Sequence, residues 1–106
     1  MRGDIWTVAG GIYASNPRPV VIIQDDVFTT DSVTVLPFTT LGLDAPLLRL
    51  PIPATSANGL AQDSWIQIEK LTTVRRSNLG HHLGRLTTPE LRDVERLLLV
   101  FLGLAR

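Results

Sequence analysis

Apolar residues in the first two thirds of the chain fall in short runs, many of them β-branched, and a three-and-four spacing appears only near the end. Ile5-Trp6-Thr7-Val8 is a β-prone run closed by Ala9-Gly10-Gly11. Asn16-Pro17-Arg18-Pro19 predicts an extended lead-in or turn, because each proline holds the residue before it out of the helical region. Val20-Val21-Ile22-Ile23 follows without a polar break, as in a strand buried on both faces, and Asp25-Asp26 ends it. Ser32 to Phe38 is a further β-branched run, interrupted by Pro37. Between Gly42 and Gly59, prolines 46, 51 and 53 surround Leu47-Leu48-Arg49-Leu50, which predicts an edge strand with irregular flanks. Ser64 to Lys70 alternates as a half-buried strand does, and Leu71 to Val74 continues it past a bulge. Leu79 to Leu86, with its two glycines and two histidines, reads as a strand or a loop.

The helix signal is at the C-terminus. Thr87-Thr88-Pro89-Glu90 supplies a capping hydroxyl, a first-turn proline and a glutamate at the capping-box position. Leu91, Val94, Leu98, Phe101 and Leu102 then define an apolar face, Arg92, Asp93, Glu95 and Arg96 a polar one, and Gly103 a stop. Strands first and one helix last predict a single α+β domain over residues 1–106, mainly β and barrel-like.

Composition narrows the possible chemistry. With 44% hydrophobic and 19% charged residues the chain can build a core, and ten basic residues against ten acidic ones argue against a polybasic wrapper of nucleic acid or membrane. The absence of cysteine excludes disulfides, thiolate metal sites and a cysteine nucleophile. No apolar run approaches the roughly 20 residues a bilayer requires. MRGDIW lacks the features of a signal peptide, so a cytoplasmic location is expected. The apolar ending LLLVFLGL exceeds what one amphipathic stripe needs and suggests a homodimer.

Few residues invite catalysis. His81 and His82 are adjacent, so on a strand they point to opposite faces and cannot share a metal; no metal ligand set is expected. Neither a phosphate-binding glycine loop nor a nucleophile elbow occurs. Arg2-Gly3-Asp4 spells an adhesion tripeptide but opens a strand. Two places remain. Arg18, stiffened by a proline on each side, stands before the most hydrophobic strand, where a guanidinium suits phosphate recognition. Thr39 and Thr40 put two hydroxyls where the chain leaves another strand.

Taken together, RGDIW, RPVVIIQDD from Arg18, VTVLPFTT from Val33 and DSWIQIEKLTTV from Asp63 resemble the MazF/PemK family of toxin endoribonucleases. The match runs nearly full length, through Gly84-Arg85-Leu86 and the capped helix. The resemblance implies an SH3-like antiparallel barrel with a C-terminal helix, the CcdB/PemK-like fold. It also implies a homodimer, a MazE-like cognate antitoxin, no cofactor, and metal-independent cleavage of single-stranded mRNA by 2′-hydroxyl attack, leaving a 2′,3′-cyclic phosphate and a 5′-hydroxyl. Arg18 matches the arginine of the family's RPV motif and Thr39 the threonine ending its third long strand; these are the implied catalytic pair. Tyr13, Asp26, Thr40 and Lys70 are further candidates for contact with RNA, Tyr13 as a stacking ring and Asp26 as a candidate base.

The chain departs from the family in two places. Only AGGIYASNP separates Val8 from Arg18, without the longer loop and GSE-like segment of many members, and Glu69-Lys70 stands where the family has a Glu-Gln pair. Both departures keep two alternatives open: a CcdB-like toxin that binds gyrase, and a member that binds antitoxin but no longer cuts.

Overall fold

A computed structural model describes residues 1–9 and 17–105 of the 106-residue chain. The elements are β1 (Asp4–Val8), β2 (Arg18–Ile22), β3 (Ser32–Thr39), β4 (Arg49–Ile52), β5 (Ser64–Gln67), β6 (Thr72–Arg75), β7 (Leu79–Arg85) and α1 (Thr88–Phe101). All pairings are antiparallel, in the order β4-β5-β3-β2-β1-β7, with β6 added on β3. The sheet pivots on β3, whose first half pairs with β6 while Phe38 and Thr39 pair with β5. Pro37 falls between those two ladders, so its missing N–H interrupts neither.

Burial follows the period of two. Val21 joins Ile5, Leu36, Phe38, Ile66 and Ile68 in the inner core, while Val20 and Ile22 join Val8, Val33 and Val35 on the other face. β2 is thus covered on both sides, as its unbroken β-branched run predicts.

The barrel is completed by the connection between β4 and β5, which packs on β7. Arg85 N–H donates to the Ala57 carbonyl at 3.1 Å. The buried Asn58 holds this connection in shape: its Nδ2 donates to Pro53 O at 2.8 Å, and its Oδ1 accepts from Thr55 N and Leu60 N, both at 3.0 Å.

Two strand boundaries differ from expectation. The edge strand starts at Arg49 rather than Leu47, because Leu48 N and Arg49 N both bond to Ala45 O and close a turn around Pro46. The expected strand from Ser64 breaks after Gln67 into a 3₁₀ turn, Ile68–Lys70, which buries Ile68 under the helix end of the barrel.

α1 begins as predicted. Thr87 Oγ1 accepts from Glu90 N at 3.2 Å and Glu90 Oε1 accepts from Thr87 N at 2.9 Å, a complete capping box. Thr87→Ala is expected to lower stability by about 1 kcal/mol, read as a fall in thermal midpoint of about 4–8 °C. The buried face is Val94 with Leu91, Leu97 and Leu98. Phe101 and Leu102, expected on that face, are instead exposed, because the barrel covers only the earlier turns. Gly103, at φ 73°, ends the helix in a conformation that favours glycine. Among the described residues no helix is long and apolar enough to cross a membrane.

Candidate functional site

β2 begins at Arg18 and β3 ends at Thr39. The register Ile22↔Val35, Val21↔Leu36, Val20↔Pro37, carried on to the end of each strand, sets Arg18 directly across from Thr39. Opposed residues of antiparallel strands share a face, with Cβ atoms about 4.5–5.5 Å apart. Both residues line one cleft of about 480 Å³, together with Pro17, Pro19, Phe38, Thr40, Gln62 and Ser64.

The local chemistry prepares the pair. Arg18 is exposed, and no described carboxylate forms an ion pair with it, so its fork is available to an anion. Thr39 Oγ1 accepts the Leu41 N–H at 3.1 Å. That bond orients the hydroxyl and leaves its proton free to be donated into the cleft. Thr40 is exposed beside it.

Gln62 and Ser64 had not been singled out in the sequence. Ser64 is buried and its Oγ–H donates to the Gln62 carbonyl at 2.9 Å, while Asp63 Oδ1 accepts from Ala54 N at 2.8 Å. The backbone carrying Gln62 is therefore held on both sides. Only the start of the DSWIQIEK motif hinted at Ser64, and nothing local marked Gln62.

Other candidates lie elsewhere. Asp26 sits beyond the opposite end of β2, accepting the Arg2 N–H at 2.8 Å, in a separate cleft of about 380 Å³ shared with Gln24, Asp25, Phe28 and Arg76. Four residue steps of extended strand, about 13 Å, separate the two ends of β2. Asp26 is thus not positioned to serve as a base beside Arg18, and Phe28 lies with it in that second cleft. Lys70 is exposed at the end of the 3₁₀ turn and does not line the cleft. Tyr13 lies outside the described residues. Among the described residues no group of three or more His, Asp or Glu side chains could hold a metal ion. His82 instead places Nε2 3.6 Å from the buried Asp4 and its ring edge-on to Trp6, at 5.2 Å between centroids.

The family model for the PemK-like, MazF-like toxins of type II toxin-antitoxin systems matches residues 1–102. The chain belongs to this family. It is 56% identical to a probable endoribonuclease MazF of Mycolicibacterium smegmatis, over 98% of this chain and 97% of that protein. Its fold matches the Mycobacterium tuberculosis toxin MazF-mt6 with a TM-score of 0.80 at 22% identity, covering 94% of this chain and 96% of that one. It matches an endoribonuclease solved with its cognate antitoxin from a mycobacterial species with a TM-score of 0.82 at 18% identity, covering 100% of this chain and 97% of that one.

In this MazF-like toxin Glu69 has a structural part to play. Glu69 is bound to Arg49 across β4 and the 3₁₀ turn, and that hydrogen bond holds its carboxyl below the ordinary value of 4.5. A depressed carboxylate contributes stability that is present above its unfolded value and lost as pH falls through the folded one. Glu69→Gln is therefore expected to lower stability at neutral pH and to reduce the steepness of acid unfolding below about pH 4.5, as measured by urea titrations across pH.

Proposed function

We propose that this toxin, an endoribonuclease of the MazF type, cuts single-stranded mRNA in the cleft between Arg18 and Thr39, without a metal ion. The observation that carries the reading is the convergence of a guanidinium with no described partner and an oriented hydroxyl on one open cleft. RNA brings its own nucleophile. Its 2′-oxygen attacks the adjacent phosphorus, the O2′–P bond forms, and the P–O5′ bond breaks. The products are a 2′,3′-cyclic phosphate and a 5′-hydroxyl. Arg18 holds the non-bridging oxygens as charge builds on the phosphorane, and Thr39 donates to one of them. Thr40 extends the same phosphate contact.

The described residues lining the cleft include no carboxylate, imidazole or thiolate. The 2′-hydroxyl proton leaves to solvent and the 5′-oxygen regains one from water, while the Arg18 guanidinium keeps its charge throughout. Asp26 and Lys70 take no part in this step.

The toxin acts as a homodimer in the cytoplasm and is neutralised by a cognate antitoxin. The second copy is supported by the apolar surface left at the end of α1, where Leu99, Val100, Phe101 and Leu102 are each 43–50% exposed. The antitoxin is supported by the family and by the solved complex of a structural relative.

The test is incubation of purified protein with long RNA in excess EDTA. Cutting that persists and yields cyclic-phosphate ends is the expected result. Intact RNA combined with DNA breaks in the presence of gyrase would favour a gyrase-binding toxin instead. Intact RNA with tight antitoxin binding would identify a member that has lost cleavage.

A further inference from the structure

We infer that Trp65 is the base-stacking platform of this toxin, holding the nucleotide next to the phosphate gripped by Arg18 and Thr39. The inference rests on the cleavage site proposed above and adds to it the surface on which a base is received.

The placement comes from register. Thr39 pairs directly with Trp65, and Trp65 in turn with Pro51. Ser64 and Ile66 are buried, so the alternation sends Trp65 to the opposite face of β5, the face that also carries Thr39 and Arg18. Guanidinium, hydroxyl, indole and proline therefore form one row across β2, β3, β5 and β4. The Trp65 backbone lies a single strand spacing, about 4.8 Å, beyond that of Thr39, so its indole stands next to the cleft rather than among the residues that line it.

Trp65 is only half-buried. One edge of its ring rests on Gly42, where an added Cβ would lie 3.1 Å from Cζ2 and 3.2 Å from Cη2. The glycine lets the loop after β3 pass close against the ring and fixes its attitude. In the same connection between β3 and β4, Leu41, Leu43 and Leu47 are 79%, 55% and 61% exposed. A polar clamp followed by an apolar aromatic shelf matches single-stranded RNA, whose phosphates require charge and whose unstacked bases require a flat apolar surface. Trp6 does not compete for the role, since it stands on β1 with its ring against His82.

A ring that only braced the loop would also weaken RNA binding if it were removed, so the test must separate stacking from support. Short 2′-O-methyl oligonucleotides, which cannot be cleaved, are prepared with an abasic unit at each position in turn. Their affinity for the full-length protein is measured by fluorescence anisotropy. For the unaltered protein, loss of one particular base should weaken binding by about 10-fold. For Trp65→Ala, the complete oligonucleotide should bind about 10-fold more weakly, and the abasic unit at that position should cause no further loss. Trp65→Phe should restore most of the affinity. Trp6→Phe leaves Trp65 as the sole tryptophan, and its emission should be quenched on binding.

An abasic penalty that survives unchanged in Trp65→Ala, or emission unaltered by saturating oligonucleotide, would overturn the assignment. The all-ribose oligonucleotide, tested for cutting in the same preparations, judges the cleavage proposal separately. Cutting without the Trp65 pattern removes the platform and keeps the nuclease. The Trp65 pattern without cutting does the reverse.

Discussion

Arg18→Ala is expected to slow RNA cleavage by about 10²–10³ while leaving the fold intact. The magnitude is that of one preorganised donor lost from a site where charge develops only in the transition state. Arg18 stands exposed at the first residue of β2 and pairs with no described carboxylate, so its removal empties no core and orphans no partner. The thermal midpoint should stay within a few degrees of the parent, which separates loss of chemistry from loss of structure. Arg18→Lys should recover only part of the rate, because an ammonium provides charge without the planar fork that meets two oxygens together. Thr39→Ala should show a smaller loss of rate accompanied by some loss of order in the following loop, since Thr39 Oγ1 also receives the Leu41 N–H. Thr39→Ser should restore both. Cleavage by Arg18→Ala at an undiminished rate would remove phosphate contact from position 18.

The largest expected effect on stability lies far from the cleft, at the closure of the barrel. A Cβ on Gly84 would fall 2.2 Å from the Ala57 carbonyl oxygen and 2.6 Å from the Asn58 carbonyl carbon. Both are backbone atoms, and neither can swing aside as the end of a side chain would. Gly59→Ala meets the same difficulty from the other direction, with 2.1 Å to Leu83 O and a φ of +69° that an L side chain rarely adopts. Either substitution forces the β4–β5 connection away from β7 and breaks the Arg85–Ala57 hydrogen bond. A loss of about 3 kcal/mol or more is expected, seen as a fall of at least about 12 °C in the thermal midpoint. Gly80→Ala provides a graded comparison. Its nearest neighbour is the Thr7 hydroxyl at 2.7 Å, which belongs to a side chain that can rotate, so the expected loss is smaller.

Much of this molecule is written in local pattern. The unbroken run Val20 to Ile23 foretold a strand with two covered faces, and the structure gives Val21 to one core and Val20 and Ile22 to the other. The Thr87–Glu90 spacing foretold a capping box, which is present atom for atom. These features depend on the period of a strand or on bonds within one turn, and neighbours in sequence decide both. The motifs carrying the family resemblance were equally plain, because a match to a family requires only the order of residues.

What lay beyond the chain's local pattern depended on partners distant in sequence. Phe101 continues the helical spacing of Leu91, Val94 and Leu98, yet it is exposed because the barrel ends before the helix does. Asp26 follows the same strand that Arg18 begins, and a strand carries its two ends apart. Trp65 becomes the neighbour of Thr39 only through the pairing of β3 with β5, and Gln62 reaches the cleft on backbone that Ser64 and Asp63 hold in place. Spacing along one segment settles which face a residue takes; which residues from different segments face each other is settled by register and closure, and those exist only once the sheet has formed.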